Sequence, residues 1–317
     1  MAVTFLPRWQ FDVFLAAVVV GGLTVVRAFF PRWDGEIYLV RAPALLAFLL
    51  LSATLALGPL SRLWAPAKRL VFNRRHLGVT TWALACTHAG MVMHYGLGWH
   101  VRGLLEAAPE ERAFGIPYPV LGVVALAILS AMALTSWDYF LHALGPVGWK
   151  RLHMAVYGAY GLVVLHVLTR LSSEKGPLSA RAAIAFFGVV GAVAALHVAA
   201  ALRERAADRA VVPPHATRVL LGRFSHLREG EAMPISLGAE RIAICRMGGT
   251  LYGVSNVCPH QNGPLGEGRI RDGYLECPWH GYQFDPRTGQ SPPGFPDSVP
   301  AYRLITEGDL TYLERPG

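Results

Sequence analysis

Charge is scarce in this chain. Asp, Glu, Lys and Arg make up 16% of its 317 residues while 53% are hydrophobic, a balance that excludes an ordinary soluble globular protein. Acidic residues are the scarcer sign, 21 against 29 basic for a net charge of +8. The basic residues collect between long apolar runs, so the excess is a topology signal and not a nucleic-acid footprint. Cysteine is rare too, with four in all, which excludes a disulfide-stapled scaffold. No G-x-G-x-x-G follows a strand-like segment, so a dinucleotide-binding module is not expected. Internal repeats, low-complexity tracts and a twin-arginine signal ahead of the first apolar run are also lacking.

What the chain has in quantity is apolar sequence. Six stretches are long enough to span a bilayer, at roughly 11–30, 37–58, 78–99, 118–136, 150–171 and 181–202. Trp9, Trp33, Trp99, Trp137 and Trp149 fall near their ends, where amphipathic rings sit at headgroup level. The first stretch lacks a basic n-region and a small-x-small cleavage site, so it reads as a membrane helix and not as a cleaved signal peptide. Arg62, Lys68, Arg69, Arg74 and Arg75 gather between the second and third stretches; Glu106, Glu110 and Glu111 lie between the third and fourth. The basic loop is therefore expected in the cytoplasm, with both termini on the same side, in agreement with Lys150, Arg151, Arg203, Arg205 and Arg209. An inner-membrane, multi-pass protein is the expectation.

After the sixth stretch the character changes. Residues 206–216 pass from a basic helix end to a double proline, and short alternating strands follow, with turns at 247–249, Asp272-Gly273 and Thr288-Gly289. The expected domains are 1–205 in the membrane, a linker at 206–216, and a small antiparallel all-β module at 217–317. Within that module Cys258-Pro-His260 and Cys277-Pro-Trp-His280 are separated by sixteen residues. Each loop offers one thiolate and one imidazole, which suits a [2Fe-2S] cluster with two cysteines on one iron and two histidines on the other. A tetrahedral zinc site is the competing reading; zinc fingers more often keep a Cys pair on one loop and a His pair on the other.

Several histidines fall where hydrocarbon is expected, and polar groups at that depth are usually functional. His88 lies in the third stretch; His153 and His166 lie in the fifth, thirteen residues or about 20 Å apart, a spacing suited to two haems stacked across the membrane.

The stretches CPHQNGPLGEG and CPWHGYQFD, followed by TG and a Pro-rich return to SVPAY, resemble the Rieske ferredoxin family over about the last hundred residues. The resemblance implies Cys258 and Cys277 as ligands of the buried iron and His260 and His280 as ligands of the outer one, with Pro259, Gly263, Pro278, Trp279 and Gly281 shaping the loops. Respiratory Rieske proteins add a loop-to-loop disulfide and place Ser and Tyr hydroxyls near the cluster. Here Cys86 and Cys245 lie elsewhere, as packing residues, and the hydroxyl positions read Tyr282 and Phe284. A ferredoxin-like cluster toward the lower end of the roughly −150 to +300 mV range is expected.

RRHLGVTTWALACTH, LTSWDYF, LGPVGWKRLHMAVYG and LVVLH resemble the ferric-reductase-like transmembrane family, closest to the six-helix haem subunit serving a periplasmic methionine sulfoxide reductase. The resemblance implies His88, His153 and His166 as ligands of one or two b-type haems, framed by Arg74, Arg75, Gly78 and Trp149. It leaves a fourth axial ligand open among His76, His94 and His100, with His94 preferred; the alternatives are that one haem is five-coordinate or absent. His142, His197, His215 and His226 read as structural or surface residues. The resemblance also suggests FMN or a quinone as donor or relay, although no residue assigns either.

The resulting expectation is a multi-domain membrane protein, a six-helix transmembrane bundle plus a small antiparallel all-β Rieske domain on the cytoplasmic side. It would be an electron-transfer subunit more than a complete enzyme, with no catalytic residue of its own. A cytoplasmic reductase or ferredoxin would reduce the cluster, and the electron would leave through haem to a periplasmic oxidoreductase, ferric iron or quinone. Membrane lipid is the other expected partner, and nucleic acid is not. The rivals are quinol oxidation in the opposite direction and a redox-sensing module without turnover. A Rieske oxygenase is disfavoured because only about 37 residues follow His280.

Overall fold

The computed structural model describes residues 8–64, 67, 70, 73–106, 111–173, 177–208, 218–238, 240–259, 263–278 and 281–314. The chain divides into two compact units, Met1–Ala200 and Ala201–Gly317. Of the expected linker, 206–208 continue a helix and 209–216 lie outside the described residues.

In the first unit the described helices are α1 (Arg8–Phe29), α2 (Gly35–Leu63), α3 (Arg74–Met91), α4 (Tyr118–Leu134), α5 (Asp138–Met154), α6 (Val156–Ser173) and α7 (Pro177–Asp208). Four segments are long and apolar enough to cross a membrane: Gln10–Phe29, Gly35–Leu63, Arg151–Ser173 and Ala180–Arg203. The 29 residues of α2 extend about 43 Å, more than the hydrocarbon core requires. Its start is set by Asp34, whose carboxylate accepts the Ile37 N–H at 2.7 Å. α4 is apolar but shorter, and α3 carries two arginines and two histidines, so neither counts among the four long spans. The third expected stretch also ends differently: α3 stops at Met91 and passes into a π-turn, Val92–Gly96. A helix that the sequence reading did not anticipate, α5, precedes the fifth stretch and breaks from α6 at Ala155.

Large apolar side chains project outward from α1 and α7, among them Val20, Phe29, Ile184, Phe187 and Val198. Such faces are unfavourable in water and at ease in lipid. Inside, Leu51 of α2, Leu129 of α4 and Ala159 of α6 form a buried cluster that Trp82 of α3 joins. Two polar contacts lock it: Trp82 Nε1 donates to Ser130 Oγ at 2.9 Å, and the Ser52 and Tyr160 hydroxyls lie 3.1 Å apart.

The second unit is antiparallel throughout. Its strands are β1 (Arg218–Gly222), β2 (Ala232–Leu237), β3 (Glu240–Met247), β4 (Thr250–Ser255), β5 (Arg269–Arg271), β6 (Tyr274–Glu276), β7 (Gln283–Phe284), β8 (Ala301–Glu307) and β9 (Leu310–Glu314). Six form one sheet in the order β1-β9-β8-β4-β3-β2, and β5-β6-β7 form a second. Two hairpins turn where expected. Gly248 and Gly249 have φ of 60° and 74° between paired Met247 and Thr250; Asp272 and Gly273 have 51° and 83° between Arg271 and Tyr274. Two consecutive positive φ values are what a two-residue primed turn demands. Thr288-Gly289 forms a turn, although no strand pair flanks it directly: the Gly289 N–H donates to the Asp285 carbonyl at 2.7 Å.

Candidate redox centres

The β unit has two apolar clusters, and one contains both candidate cysteine ligands. Cys258 and Cys277 are buried together with Ala243, Cys245, Val254, Leu265, Leu275, Phe284 and Val299. Each begins a loop closed in the same way. The Cys258 N–H donates to the Gly263 carbonyl at 2.9 Å, and the Cys277 N–H to the Tyr282 carbonyl at 2.6 Å, so each loop spans five residues onward from its cysteine. Gly281 takes φ 73°, a left-handed conformation that glycine adopts without strain, and its N–H returns to the Cys277 carbonyl at 3.0 Å. None of the four cysteines is in a disulfide. His260, Trp279 and His280 lie outside the described residues. Two buried thiols on matched loops, each followed within three residues by a histidine, suit a cluster held between the loops. Phe284, fully buried, offers no donor toward them.

Cys245 belongs to the same core, but burial pushes its thiol up to about 12. A proton held that firmly keeps it from acting as a thiolate ligand.

In the membrane unit, His88, His153 and His166 share one arrangement. His88 Nδ1 donates to the Val40 carbonyl at 2.9 Å, His166 Nδ1 to the Tyr118 carbonyl at 2.7 Å, and His153 Nδ1 to the Trp149 carbonyl at 3.0 Å. A carbonyl can only accept, so each ring carries its proton on Nδ1 and keeps the Nε2 lone pair for another partner. His197 differs: its Nδ1 bonds the Val193 carbonyl at 2.9 Å and its Nε2 contacts the Tyr157 hydroxyl at 3.3 Å, so both nitrogens are engaged, while His76 bonds to the Asp12 carboxylate of α1 through Nδ1.

α3 and α6 bring His88 and His166 together edge-on, with ring centroids 6.4 Å apart and planes crossed at 76°. Metal–imidazole bonds of about 2 Å on each side, plus the distance from nitrogen to ring centre, set two opposed ligands roughly 6 Å apart. Their separation would let the pair hold one haem between them. Gly122 of α4 makes room for it, since a Cβ there would lie 3.0 Å from His166 Cε1 and Nδ1.

His153 is not part of that pair. Trp149 stacks on its ring at 3.7 Å and 20°, and is itself anchored by Nε1 donating to the Thr135 carbonyl at 2.9 Å. Its Nε2 is buried with no hydrogen-bond partner, although the Met132 carbonyl lies nearby. The fourth-ligand candidates are placed elsewhere. His94 sits exposed in the π-turn beside Tyr95 and Trp99, and His100 is exposed in the loop that follows. His76 turns toward α1, its ring edge-on to Phe11. Sequence reasoning missed Val40, Tyr118 and Gly122; only the glycine, inside an apolar run, carried a signal of close approach.

Comparison with known proteins finds two families in separate parts of the chain. Residues 217–302 match the model of the Rieske [2Fe-2S] domain, and residues 43–164 match that of the ferric reductase like transmembrane component. The ferredoxin component of biphenyl 2,3-dioxygenase from Rhodococcus jostii (strain RHA1) is 31% identical over 93 residues, which are 29% of this chain and 86% of that protein. The protein-methionine-sulfoxide reductase heme-binding subunit MsrQ of Salmonella paratyphi B (strain ATCC BAA-1250 / SPB7) is 35% identical over 123 residues, 39% of this chain and 58% of that protein. Magnetosome protein MamZ of Paramagnetospirillum magneticum (strain ATCC 700264 / AMB-1) is 30% identical over 131 residues, 41% of this chain. The chain spans only 19% of the length of MamZ.

Proposed function

We propose that this chain, which belongs to the Rieske [2Fe-2S] family through its C-terminal domain and joins it to a ferric-reductase-like transmembrane component, moves electrons across a membrane through both domains. The observation that carries the reading is the opposed pair His88 and His166, each with Nδ1 tied to a backbone carbonyl and Nε2 left available. When bound, a [2Fe-2S] cluster and a b-type haem each accept and release single electrons. The chain's own residues hold and tune them. Cys258 and Cys277 would bind one iron from the buried side, and His260 and His280 the other. His88 and His166 would hold one haem, while the Val40 and Tyr118 carbonyls fix both rings and raise their basicity.

The direction we favour is inward to outward. The basic residues at 62–75 and at 203–209 favour a cytoplasmic Rieske domain under the positive-inside rule, where a soluble reductase or ferredoxin would reduce it. A six-helix bundle would then include α3 and α4 beside the four long apolar helices. An external oxidoreductase, ferric iron or a quinone would accept the electron.

Two experiments test this. His166→Ala and His88→Ala should each remove the same haem while leaving the cluster's paramagnetic resonance signal, and Cys277→Ser should do the reverse. Normal haem content in both histidine variants would sink the assignment. A potentiometric titration following haem and cluster in the same samples then tests direction. A cluster potential below that of the haem supports outward flow; one clearly above it favours electrons drawn from membrane quinol toward the cytoplasm.

A further inference from the structure

Between α3 and α4 two short strands, Arg112–Ala113 and Ile116–Pro117, form an antiparallel hairpin that leads directly into α4. Its depth follows from two contacts with α6. The carbonyl of Tyr118, the first residue of α4, accepts from His166 Nδ1 at 2.7 Å, and the two rings lie 5.3 Å apart between centroids. Glu111, the residue before the hairpin, is held by Arg170 Nη1 at 3.3 Å. Arg170 is about one turn past His166, and α6 runs on to Ser173. The hairpin therefore lies beside the last two turns of α6, inside the apolar span Arg151–Ser173. The length of α4 agrees. Its 17 residues extend only about 26 Å, short of the roughly 30 Å of hydrocarbon in a bilayer.

The tip of the hairpin is apolar and strained. Phe114 is 92% exposed, the highest value for a large hydrophobic side chain among the described residues, and has φ 52°, followed by Gly115 at 80°. Two positive angles make a primed turn, whose first position favours asparagine, aspartate or glycine. A phenylalanine there is strained, and in water its ring would be exposed as well. Arg112 satisfies the surrounding backbone: Nη1 donates to the Gly115 carbonyl at 3.3 Å and Nη2 to the Leu105 carbonyl at 3.2 Å. Carbonyls answered from within the chain are what non-helical backbone needs at membrane depth. Leu105, joined to the turn through Arg112, and Ile116 are also exposed. We propose that this hairpin is a lipid anchor: Phe114 enters the boundary between acyl chains and headgroups, Arg112 braces the turn, and the start of α4 is thereby held with Tyr118 against His166. Depth selects lipid over a soluble partner, because a ring exposed beside the end of a spanning helix meets the bilayer first. The effect on His166 rests on the haem reading given above; the anchoring itself does not.

The test uses full-length protein in nanodiscs of phosphatidylethanolamine and phosphatidylglycerol. Hydroxyl-radical footprinting compares Phe114 with Phe295, a side chain of the β unit that is 62% exposed. In lipid, Phe114 should be oxidised severalfold more slowly than Phe295 despite its greater exposure. Oxidation of Phe114 as fast as that of Phe295 would place the ring in water and overturn the anchor. In intact membranes Phe114→p-benzoylphenylalanine should photocrosslink to phospholipid; crosslinking to a protein instead would overturn the proposal in favour of a protein-docking surface. Phe114→Asn suits the turn while removing the ring. It should therefore lower haem occupancy in nanodiscs severalfold with the cluster resonance unchanged, and Phe114→Trp should retain it. Haem occupancy unaffected by Phe114→Asn would overturn the link to His166. Absence of haem from the parent protein would overturn the haem reading, and the footprint would still decide the anchor.

Discussion

Single residues divide here between the candidate ligands and those that make room for them. Gly122 belongs to the second kind, because the His166 ring occupies the space a side chain would need. Gly122→Val should reduce haem occupancy severalfold with the cluster signal unchanged, measured as the ratio of haem absorbance to cluster resonance. Gly289 is a backbone case: with φ 75° it lies so close to the Val299 carbonyl that any Cβ would collide. Gly289→Ala should destabilise the β unit by about 2 kcal/mol or more, as strain at a special backbone position commonly does, visible as a lower melting temperature. Cys245 is inert by burial. Its folded thiol is held near 12, above the ordinary 9.0, so the unfolded chain loses its proton first. The stability contributed is complete below pH 9 and declines as pH rises from there toward 12. Cys245→Ala should flatten that alkaline decline in pH-dependent unfolding.

At the scale of the element, turns and helix registers decide where side chains go. The turn after β7 is closed by Asp285, which accepts from the Arg287 backbone N–H at 3.0 Å and pairs with its guanidinium at 2.9 Å. The Arg287 hydrogen bonds hold the Asp285 carboxyl below its ordinary value. A depressed carboxylate stabilises the fold above its unfolded pKa, about 4, and that contribution is lost as pH falls through the folded value. Arg287→Gln should therefore weaken the β unit only slightly near neutrality, since the guanidinium is exposed and screened by solvent, and reduce the dependence of its stability on acid. Equal stability loss in the variant and the parent on acidification would contradict this. In α3 the register places His88 and Arg74 on one face and His76 on another, which is why one histidine faces α6 and the other α1.

At the scale of the molecule the two units have separate cores, and each carries its own candidate ligands. A fragment beginning at Ala201 and assembled with iron and sulfide should give the same cluster resonance as the whole protein. Fragment 1–205, purified in detergent, should keep the full haem complement. Loss of the cluster signal in the first fragment would mean that its loops need the membrane unit to form.

Much of this organisation was legible along the chain, because it rests on local patterns. Apolar runs mark candidate membrane helices by length and composition, two glycine-bearing dipeptides mark hairpins by the backbone angles they permit, and the two Cys/His loops carry their candidate ligands within three residues of one another. The structure supplied what depends on distance in space. That His88 meets His166, while His94 stays exposed beside Trp99, follows from how α3 and α6 pack and from the π-turn that ends α3. The Val40 and Tyr118 carbonyls leave no trace in their own side chains, so no sequence pattern could assign them to the histidines they orient. Residue type alone determined that this chain has a membrane part and a two-loop Cys/His part; only the packing of helices brought His88 and His166 together, because a contact between residues 78 positions apart is made by the fold and not by neighbours in the chain.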